Sequence, residues 1–137
     1  GRDVLVVGST SYTSKFGALG VVPLVLSPFN LARCWGEGKL EITVPDTIYI
    51  EISGQIQWTA AGEDVASYLL TYFGVDGLAG KAVIIGGTHI KRMSLEERMA
   101  LSCTINEMGA MTGIIAPQGP TGQVERVIKI RVDEIKR

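Results

Sequence analysis

The sequence predicts an α/β fold, a sheet whose strands are joined by crossover helices, and three observations carry that prediction. From residue 47 onward the apolar patterns follow the order β-α-β-α-β, and one further strand pattern comes after them. Glycine accounts for 17 of 137 residues and falls between apolar segments, where turns and helix ends belong. Apolar residues make up 46% and charged residues 20%, enough for a packed core in a chain of one-domain size.

Residues 3–7 (DVLVV) form a short, nearly continuous apolar run, as expected of a strand covered on both faces. The hydroxyl-rich stretch from Gly8 to Ser14 reads as a loop. Residues 21–26 are apolar but broken by Pro23, and the pattern assigns them to no element. Ser27-Pro28 opens a helix, because serine caps the free amides and proline suits the first helical position. That helix carries Phe29, Leu31, Ala32 and Trp35 and is expected to stop at Gly36. Residues 47–52 (TIYIEI) alternate and are β-branched, so they read as a strand ended by Gly54. A second helix spans residues 62–73, with Val65, Ala66, Leu69, Leu70 and Phe73 at helical spacing and Gly74 as its cap.

Residues 81–85 (KAVII) give the next strand, followed by the turn pair Gly86-Gly87. Ser94-Leu95-Glu96-Glu97 is a capping box, in which each end of the tetrapeptide satisfies an amide of the other. It starts a helix that should run to Met108 and stop at Gly109. Residues 112–116 (TGIIA) form a strand ended by Pro117, residues 118–122 a turn-rich link, and residues 124–132 (VERVIKIRV) a last strand.

Charge and cysteine content exclude several classes. The net charge is −1, and residues 123–137 hold only five basic against three acidic side chains, so no nucleic-acid partner is expected. Cys34 and Cys103 cannot form a disulfide framework or complete a four-cysteine metal site, and in predicted helices they read as small buried hydrophobes. No apolar run reaches the roughly 18 residues of a membrane helix. The opening Gly-Arg-Asp has no signal-peptide pattern, so a cytoplasmic location is expected. The lack of an initiating Met suggests a piece of a longer protein. Gly86-Gly87 lacks both the GxGxxG spacing and the Walker ending and reads as a turn. His89, the one histidine, is expected in a solvated loop. Ser11 lacks a nucleophile elbow, and Glu107 reads as a surface carboxylate in the last turn of its helix.

Several motifs in order resemble the aconitase family, which includes aconitase, homoaconitase and the large subunit of 3-isopropylmalate dehydratase. Gly8-Ser9-Thr10-Ser11-Tyr12-Thr13 followed by Gly17-Ala18-Leu19-Gly20 resembles its G-x-D-S-H-T…GALG stretch. Gly38-Lys39 with Val44-Pro45-Asp46-Thr47-Ile48 resembles GK…VPETI. Gly62-Glu63-Asp64-Val65 and Gly74-Val75-Asp76-Gly77 resemble GKDVI and GVDG. Leu95-Glu96-Glu97-Arg98-Met99 resembles LS-x-x-ERM, and Glu107-Met108-Gly109-Ala110 with Gly113-Ile114-Ile115-Ala116-Pro117 resembles E-x-GA-x-x-G-x-x-AP. Val127-Ile128-Lys129-Ile130 resembles the later V-I-E-I strand.

The resemblance implies a three-layer α/β/α iron–sulfur domain fragment with a mixed sheet and crossover helices. Residues 1–46 would close a first α/β domain and residues 47–137 would form a second. It implies a hydro-lyase that dehydrates and rehydrates a small hydroxy-di- or tricarboxylate, with a [4Fe–4S] cluster as Lewis acid. The cluster cysteines lie beyond the matched region, so this chain is expected to hold no cofactor and not to catalyse alone. Its partners would be the remaining aconitase domains or a small subunit, together with a small carboxylic acid. Split from them, its apolar faces invite homo-oligomer formation.

Site residues carry over unevenly. Ser11 and Glu107 match family positions, whereas Thr10, Tyr12 and Cys103 stand where the family has Asp, His and Asn. The link between Pro117 and Val127 is much shorter than the family's segment. A non-catalytic binding or assembly protein that kept the fold is the alternative reading.

Overall fold

Seven-residue and shorter strands rich in isoleucine and valine build the centre of the molecule. The computed structural model describes residues 5–8, 11–19, 22–25, 27–38, 45–54, 62–74, 77–120 and 122–132. Strands β1 (Leu5–Gly8) and β2 (Val22–Val25) form a parallel pair joined by a 3-10 helix, Ser11–Leu19. Helix α1 covers Pro28–Glu37. Four further strands form the main sheet: β3 (Thr47–Ser53), β4 (Ala82–Gly86), β5 (Thr112–Ile115) and β6 (Arg126–Arg131). Their order is β5-β4-β3-β6. Helix α2 (Gly62–Phe73) connects β3 to β4, and α3 (Thr88–Arg92) and α4 (Leu95–Glu107) connect β4 to β5. This is an α/β arrangement; every described strand pair is parallel, so the mixed character expected of the sheet is absent among them.

Side-chain alternation divides the sheet into two faces. Ile48, Ile50, Ile52, Val83, Ile85, Ile115, Ile128 and Ile130 are buried on one face. They form a single core with Val65 and Leu69 of α2 and Leu101 and Ile105 of α4. The opposite face carries a row set by register: Ile114, Ile84, Tyr49 and Val127. In place of a helix, this second face is crossed by a strap, residues 116–125. β5 and β6 lie at opposite edges, so a right-handed return from one to the other must pass over the face that α2 and α4 leave open. Gly119 of the strap packs against the Tyr49 hydroxyl. Glu125 then donates its amide to Thr47 O at 2.7 Å and places its carboxylate 3.2 Å from Lys81 Nζ.

Local signals account for most element ends. Ser27 Oγ accepts from the Asn30 amide, and the two capping-box bonds of α4 measure 3.1 and 3.3 Å. α1 runs past the expected stop at Gly36 and ends at Gly38, whose φ of 68° is the left-handed cap that glycine tolerates. Of its apolar residues only Leu31 is buried; Phe29 and Trp35 are 71% and 77% exposed. The expected loop before Ser14 is instead the start of the 3-10 helix, and the unassigned stretch contains β2. Pro23 is admitted there because its carbonyl still serves, accepting from Thr112 Oγ1 at 2.7 Å. Residues 39–44 lie outside the described residues.

The 3-10 helix meets the main sheet through Gly17. A Cβ at Gly17 would strike the Gly113 carbonyl and lie 3.0 Å from Ser102 Oγ. Gly36, by contrast, faces open space within α1. Gly17→Ala is therefore expected to destabilise the fold by about 1–3 kcal/mol through overpacking. Gly36→Ala should stabilise it by about 0.5–1 kcal/mol through reduced unfolded-state entropy. Urea denaturation midpoints of the two variants check both signs.

Candidate functional site

The 3-10 helix packs on α4 in a seam where Gly17 meets Ser102 and Lys15 acts on Cys103. Ser11 and Tyr12 are the first two residues of the 3-10 helix, and Thr10 lies outside the described residues. Cys103 and Glu107 stand four residues apart on α4 and so share one of its faces. Glu107 is exposed at the end of the helix, and Cys103 is half-buried. Lys15 of the 3-10 helix is close enough to act on the Cys103 thiol. Burial pushes that thiol's pKa up, the Lys15 charge pulls it back, and the Glu107 carboxylate pushes it up again. The net shift is upward, so Cys103 is a neutral thiol at pH 7, a weak nucleophile and a weak metal ligand. Sequence reasoning missed Lys15, because its importance comes only from a contact about ninety residues away along the chain.

Two serine hydroxyls on the same seam, Ser14 Oγ and Ser102 Oγ, are buried with no hydrogen-bond partner among the described residues. Ser14 and Gly17 are three residues apart, which places them on one edge of a 3-10 helix. Gly17 is also the residue that touches Ser102.

No three His, Cys, Asp or Glu side chains among the described residues converge on a metal position. Cys34 sits on α1 and Cys103 on α4, and neither belongs to such a group. The described donor set does not fit an iron–sulfur cluster, which needs thiolates brought together.

His89 is not in a solvated loop. It lies on α3 and is 9% exposed, with Nε2 buried and without a partner among the described residues. Burial holds its pKa below the usual histidine value; the Arg92 charge acts in the same direction and the Glu97 charge against it. The sequence hid this because Ile90 and Met93, the apolar residues around it, are too few to show a helical period.

A cleft of about 640 Å³ opens beside β5, between the strap and the end of the 3-10 helix. Ile84, Ile114, Ala18, Leu19, Val22 and Pro117 supply most of its apolar wall. Arg98 of α4 supplies its cation, and Gln118 an amide.

Comparison with known proteins fixes the ancestry of this arrangement. The family model described as "Aconitase family (aconitate hydratase)" matches residues 2–123. The chain belongs to the aconitase family. It is 32% identical over 132 residues to the "Probable 3-isopropylmalate dehydratase large subunit" of Methanosarcina mazei, covering 96% of this chain and 31% of the relative. It is 32% identical over 131 residues to the "3-isopropylmalate dehydratase large subunit 1" of Pyrococcus furiosus, covering 92% and 31%. Against the protein of the same description from Methanopyrus kandleri it is 32% identical over 117 residues, covering 85% and 28%. The chain thus spans about a third of the length of these aconitase-family relatives. No helix among the described residues is long and apolar enough to cross a membrane.

Two outcomes follow for the titrating groups. Removing the Glu107 charge in Glu107→Gln should lower the pKa of Cys103, and Lys15→Met should raise it, as read from the pH profile of Cys103 alkylation in a Cys34→Ser background. A buried histidine with a depressed folded pKa binds its proton more weakly than in the unfolded chain. Its contribution is therefore intact above the unfolded value of about 6.5 and is lost as pH falls below it. His89→Phe should flatten the acid limb of a thermal-stability profile between pH 7 and about 5.

Proposed function

We propose that this aconitase-family chain is the part of a hydro-lyase that presents Ser11 and Glu107 to a small hydroxy-di- or tricarboxylate. In this reading residues 1–46 complete one aconitase-type domain and residues 47–137 belong to a second. The supporting observation is the packing of the two helices: Lys15 of the helix that Ser11 begins and Glu107 of α4 both act on Cys103. An exposed carboxylate there can hold or move a proton at its Oε atoms, and Lys15 supplies positive charge along the same seam. The dehydratase names of the relatives support the reaction class. A cluster would have to be held by cysteines outside this chain, so no step is assigned to one here.

A second reading has specific support. Cys103 occupies the position where the family has Asn, and its thiol is neutral; Thr10 and Tyr12 replace the family's Asp and His. A fold kept for binding a small acid, without turnover, accommodates all three substitutions.

Anaerobic iron–sulfur reconstitution of the complete protein separates the two. A cluster seen by visible absorption and iron count, with turnover of a hydroxy-diacid, supports the hydro-lyase. Glu107→Gln should then lower kcat by about 100-fold or more while leaving the thermal midpoint in place. Absence of both cluster and turnover, with carboxylate binding retained, favours the binding protein.

A further inference from the structure

We propose that the cleft beneath the strap is a binding site for an amphiphilic monocarboxylate, with the carboxylate on Arg98 and the hydrocarbon body against Ile84, Ile114 and Pro117. The cleft draws its lining from both sides of β5: Ile84 and Ile114 from the second sheet face, Ile115 and Arg98 of α4 from the side of the core.

The cation is the first part of the argument. Arg98 is half-buried, and its Nη2 donates to Ile90 O at 2.9 Å and Lys91 O at 3.3 Å. Those two bonds fix the guanidinium against the end of α3. Neutral carbonyls do not compensate its charge, and none of the ion pairs among the described residues includes Arg98. Its Nε is sealed from solvent with no acceptor among the described residues. A guanidinium held in place, partly desolvated and without an anion among those residues, is an incomplete arrangement, because cations withdrawn from water are normally matched by an anion. Nη2 is engaged by the two carbonyls, so Nη1 is the nitrogen that would meet a carboxylate oxygen, in a charge-assisted hydrogen bond.

The wall is the second part. Ile84 and Ile114 are adjacent in register on the second sheet face. Ala18, Leu19 and Val22 close one side, and Pro117 and Pro120 of the strap close the other. The cleft's volume of about 640 Å³ lies within the range of small-molecule sites and exceeds what a simple inorganic anion or acetate would fill. An apolar wall with one cation selects a ligand with an acidic head and an aliphatic body. The short strap makes the space: a helix at that place would lay side chains on Ile84 and Ile114.

The test uses octanoate, with 1-octanol and acetate as controls, on the complete protein carrying ¹³C-labelled isoleucine methyls. Octanoate should shift the Ile84 and Ile114 methyl signals saturably and leave Ile52, on the other face, unmoved. It should bind about tenfold or more tightly than 1-octanol, while acetate should leave the methyls unchanged. Arg98→Met should abolish the preference for acid over alcohol. Ile114→Phe, which fills the cleft without touching Arg98, should weaken both ligands by about tenfold or more. If Arg98→Met fails to fold because α3 loses its tie, the acid-to-alcohol ratio of the unsubstituted protein still decides. Equal binding of octanoate and octanol, or no shift at Ile84 and Ile114 up to the solubility limit, overturns the proposal. None of these readouts depends on turnover or on a cluster.

Discussion

A parallel strand cannot be reached by a hairpin, and that constraint organises this molecule. Each move from one strand to its parallel neighbour requires the chain to travel back along the sheet, with one hand only. β3, β4 and β5 are laid down in one direction, so their helices share a face and a core. β6 is laid down on the far side of β3, so its connection must take the other face. With only ten residues available, that connection is a strap and not a helix. The Tyr49 environment, the cleft and the half-open row of Ile84 and Ile114 all follow from that economy of chain.

The seam of the 3-10 helix on α4 depends on a different constraint, the missing side chain at Gly17. Backbone meets backbone where Gly17 lies on the Gly113 carbonyl. This approach brings Lys15 within electrostatic reach of Cys103. A framework held by backbone contact tolerates exchange of polar side chains around it.

Local chemistry made much of the fold legible. The Ser27 and Ser94 caps, the alternation of residues 47–52 and the helical spacing of Val65 and Leu69 are each decided within a few residues, and the structure reproduces them. What was not legible is set at long range. Ser11 to Ser14 have turn chemistry, yet they join a 3-10 helix because that helix has α4 to pack against. Pro23 looks like a strand breaker, yet its carbonyl is used by Thr112, 89 residues away. His89 looks like a loop residue until α3 is seen to carry it inward. In the candidate site, Glu107 and Cys103 could be paired from spacing alone; Lys15 and Arg98 could not, since only the packed structure shows what surrounds them.

The strap also bears on the order in which the molecule assembles. Ile48 of β3 pairs with Arg126 of β6, a separation of 126 − 48 = 78 residues, whereas Thr47 of β3 meets Ala82 of β4 after 35. Closing the longer loop costs more chain entropy, and contacts distant in sequence form late. β3, β4 and β5 with their two crossing helices can collapse as a unit before β6 arrives. The last strand then completes the sheet as an edge, clasped at its start by Lys81 between Asp46 and Glu125. Among the described strands β6 is expected to gain its partners last and lose them first, an ordering that amide exchange along β6 would report directly.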